Sequence, residues 1–302
     1  MKNVSRLVLA LLILVVGCKV SYAQAAPVKI DAEHFPDTVF MTNIQGYDND
    51  KDGYLSEQEA GAITSLNYDG GDYKAWKELS SLKGIEYLTS LESICLGYNN
   101  IKELDLTYNT NLKNIDIYNV PLQEINLNGN CNLERFEAWN VSLKTLDLTG
   151  NEKLKKLFLK NSKEIENIKF GDKPVINTIS CEGSGLKTIE IKNMPALKKL
   201  NVANTKISKL DVSAASKLKV LYCSGEKISK VILPKNNKLK VALKKDDKVK
   251  LSWKSVGKNK VLKSFNQKIS KIIKKDTVKL LKTGKVKVQC GNNKCVIKVY
   301  KK

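Results

Sequence analysis

The sequence predicts a β-rich solenoid of 21–22-residue coils with parallel strands, closed by a small helical N-terminal cap and a small all-β C-terminal domain. Three observations carry this. An apolar pattern recurs every ten or eleven residues from Leu91 to Leu239, a compact acidic loop spans Asp48 to Glu59, and lysines alternate with Val, Leu and Ile after residue 240. The implied division is 1–23 signal peptide, 28–64 cap, 65–239 solenoid and 240–302 Lys-rich β domain.

The pattern L-x-x-L-x-L starts at Leu91 and returns at Ile101, Leu112, Leu122, Leu133 and onward to Ile228 and, weakly, Leu239. Two half-units make one coil, a length within the leucine-rich range of roughly 20–29 residues. One half-unit reads Leu104-Asp105-Leu106, Leu146-Asp147-Leu148 and Leu210-Asp211-Val212. The other reads Ile94-Cys95-Leu96, Leu157-Phe158-Leu159 and Leu221-Tyr222-Cys223. Extended segments alternate faces, so the first, fourth and sixth positions point inward and the fifth outward. Asn99, Asn109, Asn119, Asn130, Asn140, Asn151 and Asn204 follow the strands, where an amide can satisfy turning backbone groups. No coil buries its apolar edge alone, so stacking builds one continuous core. The pattern departs at Gly171–Pro174 and fades after Leu233-Pro234.

On these half-units, residues 65–239 resemble bacterial leucine-rich-repeat proteins of the internalin-like and surface-protein kind. The resemblance implies a ligand-binding scaffold without catalysis, whose ligand differs from member to member.

Asp48-Asn49-Asp50-Lys51-Asp52-Gly53-Tyr54-Leu55-Ser56-Glu57-Gln58-Glu59 is similar to a twelve-residue EF-hand loop at every diagnostic position. Calcium takes six to eight oxygens. Asp48, Asp50 and Asp52, the Tyr54 carbonyl, Ser56 and a bidentate Glu59 would supply them, and Gly53 permits the sharp turn. Residues 36–46 and 56–64 are expected as short flanking helices. Ser56 and Glu59 also have capping-box spacing, so the same residues can simply start a helix. EF-hands usually come in pairs, and dockerin modules carry two. The following stretch, Asn67 to Asp72, has no comparable spacing, so one structural calcium site ordering the cap is expected rather than a dockerin.

Charge is unevenly placed. Residues 231–302 hold 23 lysines against 3 aspartates, whereas residues 1–230 hold 29 basic and 28 acidic groups. Such asymmetry suggests an anionic partner for residues 240–302, either a cell-wall polymer or a membrane surface, or else a solvated face that aids solubility. The alternation in Lys248-Val249-Lys250-Leu251 and Lys285-Val286-Lys287-Val288 argues half-buried strands, and the region weakly resembles a bacterial immunoglobulin-like domain. Nucleic acid is not an expected partner of an exported chain.

Export is read from Lys2 and Arg6, the apolar run Leu7 to Val16, and small residues at Ser21 and Ala23 that suit cleavage before Gln24. Val15-Val16-Gly17-Cys18 alternatively resembles a lipobox, with Cys18 lipidated. The protein is therefore expected to be secreted or held at the cell surface, as a monomer. Cys181 and Cys223 fall at inward positions, where Cys acts as a small apolar residue. Cys290 and Cys295 flank an expected hairpin turn and are open to two readings, a disulfide or two thiols.

If the Cys-type half-units form an open sheet, Asp116, Tyr118, Arg135, Glu137, Trp139 and Phe158 face outward on neighbouring coils. Aromatics with Arg are frequent interface anchors, so these six are the expected ligand-binding surface. The leading expectation is recognition of a host or neighbouring-cell protein. The alternatives are glycan binding through the aromatics and a cell-wall structural role. Catalysis has little footing: His34 is the one histidine, and no phosphate loop or zinc spacing is present.

Overall fold

A computed structural model describes residues 27–301 apart from 71–76, 226, 236–237, 254–261, 275 and 291. The expected signal peptide and Cys18 lie outside the described residues. Among those described, no helix is long and apolar enough to cross a membrane.

The apolar repeat closes the chain into stacked coils. The Cys-type half-units form one continuous sheet: Ser65–Asp69, Ser93–Gly97, Asn114–Tyr118, Arg135–Trp139, Lys156–Phe158, Thr178–Ser180, Lys199–Asn201, Val220–Tyr222 and Lys240–Lys244 lie side by side, all parallel. The Asp-type half-units make shorter strands in separate groups. Glu103–Asp105 pairs with Glu124–Asn126, Thr145–Asp147 with Asn167–Lys169, and Lys209–Asp211 with Lys230–Leu233. Between the two faces run the inward leucines and isoleucines: Leu91, Leu112, Leu133, Leu154, Leu197 and Leu218 are each fully buried.

The asparagines after the strands fall into two columns with different work. Asn109, Asn130 and Asn151 are buried, and each donates through Nδ2 to two carbonyls of the coil before it. These amides tie coil to coil by giving each of those turn carbonyls a second donor beside its backbone one. Asn119, Asn140, Asn161 and Asn204 instead hold φ between 51° and 57°, a left-handed turn that Asn tolerates better than most side chains. Gly183 fills that turn between Asn161 and Asn204 at φ 72°, and Gly225 holds the same position in the coil after Asn204 at φ 151°.

The N-terminal cap is built as the sequence predicts. Helix α1 spans Thr38–Gln45 and α2 spans Glu57–Ala62. Asp37 caps α1 through Oδ1, accepting from Val39 N at 3.0 Å and Phe40 N at 3.1 Å. Its Oδ2 accepts from Ser80 N at 2.8 Å and Ser81 N at 3.1 Å, tying the cap to the segment entering the first coil. Phe35, Phe40, Ile44 and Leu55 are fully buried against that end of the core.

At the other end, the Lys-rich region extends both faces. Lys240–Lys244 pairs in parallel with Val220–Tyr222 on one side and Asn293–Tyr300 on the other, and Gly284–Cys290 then adds antiparallel. Lys248–Trp253 continues the second face beside Lys230–Leu233, followed by Thr277–Leu280 and Ser270–Lys274. The alternating Val249, Leu251, Val278, Val286, Val288, Ile297 and Val299 are buried in the same core as the coils. The strands are those the period of two predicts, and they cover the solenoid's open end. Coil stacking thus runs past Leu239, where the sequence pattern fades. Cys290 and Cys295 are thiols, the second of the two readings: the hairpin register sets Cys290 opposite Asn293 and Cys295 opposite Val288, not opposite each other.

Candidate functional site

The sheet register brings the six expected surface residues together. Cys95, Asp116, Glu137 and Phe158 stand opposite one another on successive strands, and Gly97, Tyr118 and Trp139 do the same two residues on. Arg135 lies in the row before them. Its guanidinium forms ion pairs with Asp116 on the preceding strand and Glu137 on its own, and stacks 5.8 Å from the Phe158 ring centroid. Three strands are thus joined by one side chain. Burial pushes the Glu137 carboxyl above its ordinary range, Arg135 pulls against that, and neighbouring Asp116 adds to the rise.

Two aromatics flank this cluster. Trp139 is 43% exposed, with Lys160 Nζ 5.3 Å from its ring centroid. Tyr118 lies across Gly97, whose missing side chain makes the room: a Cβ there would come within 2.5 Å of the Tyr118 ring. Burial and a hydrogen bond with Asp69 raise the Tyr118 phenol well above its ordinary range, and Cys95 Sγ sits 3.9 Å from its hydroxyl.

Tyr98 belongs to the same surface, although the outward columns do not contain it. It is 47% exposed and meets Tyr118 edge to face, with ring centroids 5.7 Å apart. Its φ of 54° places a bulky aromatic in the turn that other coils give to Asn or Gly. The signal was available in the sequence: Tyr98 is where the Asn column is broken. A non-Gly residue in this region costs roughly 1–2 kcal/mol, and such strain tends to gather at functional sites.

A second cluster sits in the cap. One oxygen each of Asp48, Asp50 and Asp52 lie within 4.8 Å of one another. Gly53 turns the loop at φ 82° and donates to Asp48 Oδ2 at 3.0 Å. Asp48 Oδ1 is enclosed and has no hydrogen-bond partner, an arrangement of bare carboxylate oxygen that suits a hard cation. Glu59 is engaged: Oε1 accepts from Asn49 N at 2.6 Å, and Oε2 accepts from Ser56 N at 2.9 Å and Ser56 Oγ at 2.8 Å. The α2 capping box therefore already engages the carboxylate expected to close the twelve-residue loop. Tyr54–Leu55 pairs antiparallel with Val28–Lys29, which steadies this single loop from outside.

His34 hydrogen-bonds through Nδ1 to Asp31 Oδ1 at 2.8 Å and faces Tyr87. That hydrogen bond holds the Asp31 carboxyl down at about 2. Burial pushes the thiols of Cys181 and Cys295 up to about 12, so they behave as apolar filler rather than nucleophiles.

No known protein family matches the sequence, and no curated relative does. Among solved structures, an internalin C2 of Listeria monocytogenes aligns at 16% identity over 78% of this chain and 94% of that one, with a TM-score of 0.47. An internalin-like protein of the same organism aligns at 12% identity over 92% and 99%, with a TM-score of 0.48. The functional domain of internalin InlJ, described as including a cysteine ladder, aligns at 12% identity over 93% and 100%, with a TM-score of 0.30. Identities this low carry no residue-level correspondence.

Proposed function

We propose that this protein is an exported, non-enzymatic recognition module that binds a protein partner through the outer face of its continuous sheet. The observation that carries this is the group of aromatics Tyr98, Tyr118 and Trp139 beside the Arg135–Asp116–Glu137 cluster and Phe158. Outward aromatics have no core to fill, and rigid aromatic area next to a pre-paired Arg matches the anchors that dominate protein interfaces. Arg135 is already locked by two carboxylates, so little side-chain entropy is lost when a partner covers it.

The cap is read as a structural calcium site formed by Asp48, Asp50, Asp52, the Tyr54 carbonyl, Ser56 and Glu59. Calcium would replace mutual carboxylate repulsion with coordination and stiffen the loop between α1 and α2, far from the aromatic row in sequence. Its part is to order the end of the solenoid.

The test uses the full mature chain and a variant carrying Tyr118→Ala, Trp139→Ala and Phe158→Ala. Proteins captured from surface extracts by the native chain are identified, purified and titrated against both forms by calorimetry. The reading expects binding to the native chain and at least a hundredfold loss in the variant, about 2.7 kcal/mol, with an unchanged melting temperature. Equal affinity for both forms removes this surface from the function.

A further inference from the structure

The two ends of the continuous sheet treat their lysines differently. Along the edge where its strands begin, the second position of successive coils reads Glu92, Lys113, Glu134, Lys155, Asn177, Lys198, Lys219 and Lys240. The first four pair off across neighbouring coils: Lys113 Nζ is 2.7 Å from Glu92, and Lys155 Nζ is 2.6 Å from Glu134. The last three are all lysine. Lys219 N donates to Lys198 O at 2.8 Å and Lys240 N to Lys219 O at 2.9 Å, so the three lie on successive coils, with Lys240 set opposite Val220, one residue on from Lys219. Strands lie ~4.8 Å apart, so the three backbone positions span about 10 Å across the sheet.

Lys217 and Lys238 stand beside these three, and the five lysines with Val220 wall an open groove of about 690 Å³. Lys198, Lys217, Lys219 and Lys240 are exposed and have no acidic partner among the described residues. Like charges on neighbouring strands repel. Alternation with Glu relieves that repulsion in the earlier coils, and no acidic side chain lines this groove.

We propose that this groove binds a linear phosphodiester polymer laid across the last coils of the solenoid. The groove crosses three successive coils and takes lysines from each of them, which matches a chain laid along it better than a flat layer of headgroups. No aromatic side chain lines the groove, so it lacks the stacking platform that single-stranded nucleic acid uses. Lysine ammonium groups act as point charges toward phosphate oxygens and need no fixed geometry from a flexible chain. The groove and the aromatic row lie on different coils, and either can exist without the other.

The test titrates the full mature chain with poly(glycerol phosphate) at several salt concentrations. A variant carrying Lys198→Gln, Lys219→Gln and Lys240→Gln is compared with a charge-matched control carrying Lys268→Gln, Lys282→Gln and Lys285→Gln. The proposal expects affinity falling linearly in log–log salt plots, with each lysine–phosphate contact adding about 0.7 to the slope. The groove variant loses at least tenfold in affinity and about 2 in slope, and the control changes less than about threefold. Lys219→Glu alone gives the same direction if the triple variant folds poorly. Absence of binding at low salt, equal losses in both triple variants, or tighter binding of heparin or single-stranded DNA would each overturn it.

Discussion

Lys173 stands in its coil where Asn151 stands in the coil before, eight residues after the first apolar position of the half-unit. Asn151 donates to two carbonyls, at 3.1 Å and 2.9 Å. Lys173 is just as buried, but its ammonium donates to the carbonyl of adjacent Asp172 at 2.9 Å. The ladder of buried amides ends there, and burial drags the Lys173 pKa down to about 8. The folded chain releases this proton above about pH 8, while the unfolded chain holds it up to its ordinary value of 10.5. The unfolded state therefore binds more protons between pH 8 and 10.5, and this group makes stability rise with pH across that window. Lys173→Asn is expected to remove that rise and to stabilise the protein by about 1–3 kcal/mol at pH 7. Denaturant melts at pH 7, 8.5 and 10 check it; a destabilised variant with the native pH profile contradicts it.

Asn130 is the middle rung of the ladder, bonded to Leu106 O and Asn109 O at 2.9 Å each. Asn130→Ala takes the second donor from two carbonyls that keep backbone donors in Asn109 N and Leu112 N, and is expected to cost about 1–3 kcal/mol. Asn140→Ala, in the exposed left-handed column, is expected to cost only about 1 kcal/mol. Urea midpoints of the two variants rank them, and equal costs would mean that the two columns do the same work.

Tyr98 gives a sign test of strain at the recognition surface. Tyr98→Asn relieves the left-handed backbone and Tyr98→Ala does not, while both lose the ring that meets Tyr118. The Asn variant is expected to be more stable than the Ala variant by about 1 kcal/mol. Both are expected to bind the partner more weakly than the native chain. Thermal melts and partner titrations separate the two effects.

Gly97→Ala is expected to push the Tyr118 ring off its seat with a cost of about 1 kcal/mol or less, because a ring can swing where backbone cannot. Away from Asp69 the phenol becomes more exposed, and its titration falls toward the ordinary tyrosine range. Carbon NMR of labelled tyrosines follows it; an unmoved Tyr118 resonance would show that the slot is not what positions the ring.

Calcium at a hundred times its dissociation constant is expected to stabilise the cap by about 2.7 kcal/mol. Asp50→Ala with Asp52→Ala is expected to abolish both the binding heat and the melting shift. These positions serve better than Glu59, whose loss would also break the α2 capping box. Native protein without heat or shift on calcium addition has no such site.

Much of this was open to inspection in the amino-acid order. An apolar residue every ten or eleven positions closes coils because neither face can bury itself otherwise, so Leu91, Leu112 and Leu133 dictate the solenoid before any coordinate is known. The outward aromatics follow from the same arithmetic, since a strand alternates its faces. Ser56 and Glu59 announce the start of α2 through their spacing alone. Other features depend on which chains become neighbours across twenty residues or more. That the Cys-type half-units make the unbroken sheet, that Arg135 bridges Asp116 to Glu137, and that Lys198, Lys219 and Lys240 line one groove are matters of register between coils. The division of the asparagines into buried ladder and left-handed turn belongs here too, because the amide is the same and only its depth and its φ differ. The Lys-rich tail shows the limit most clearly: its period of two foretells strands, but the exposed end of the last coil chooses their partners.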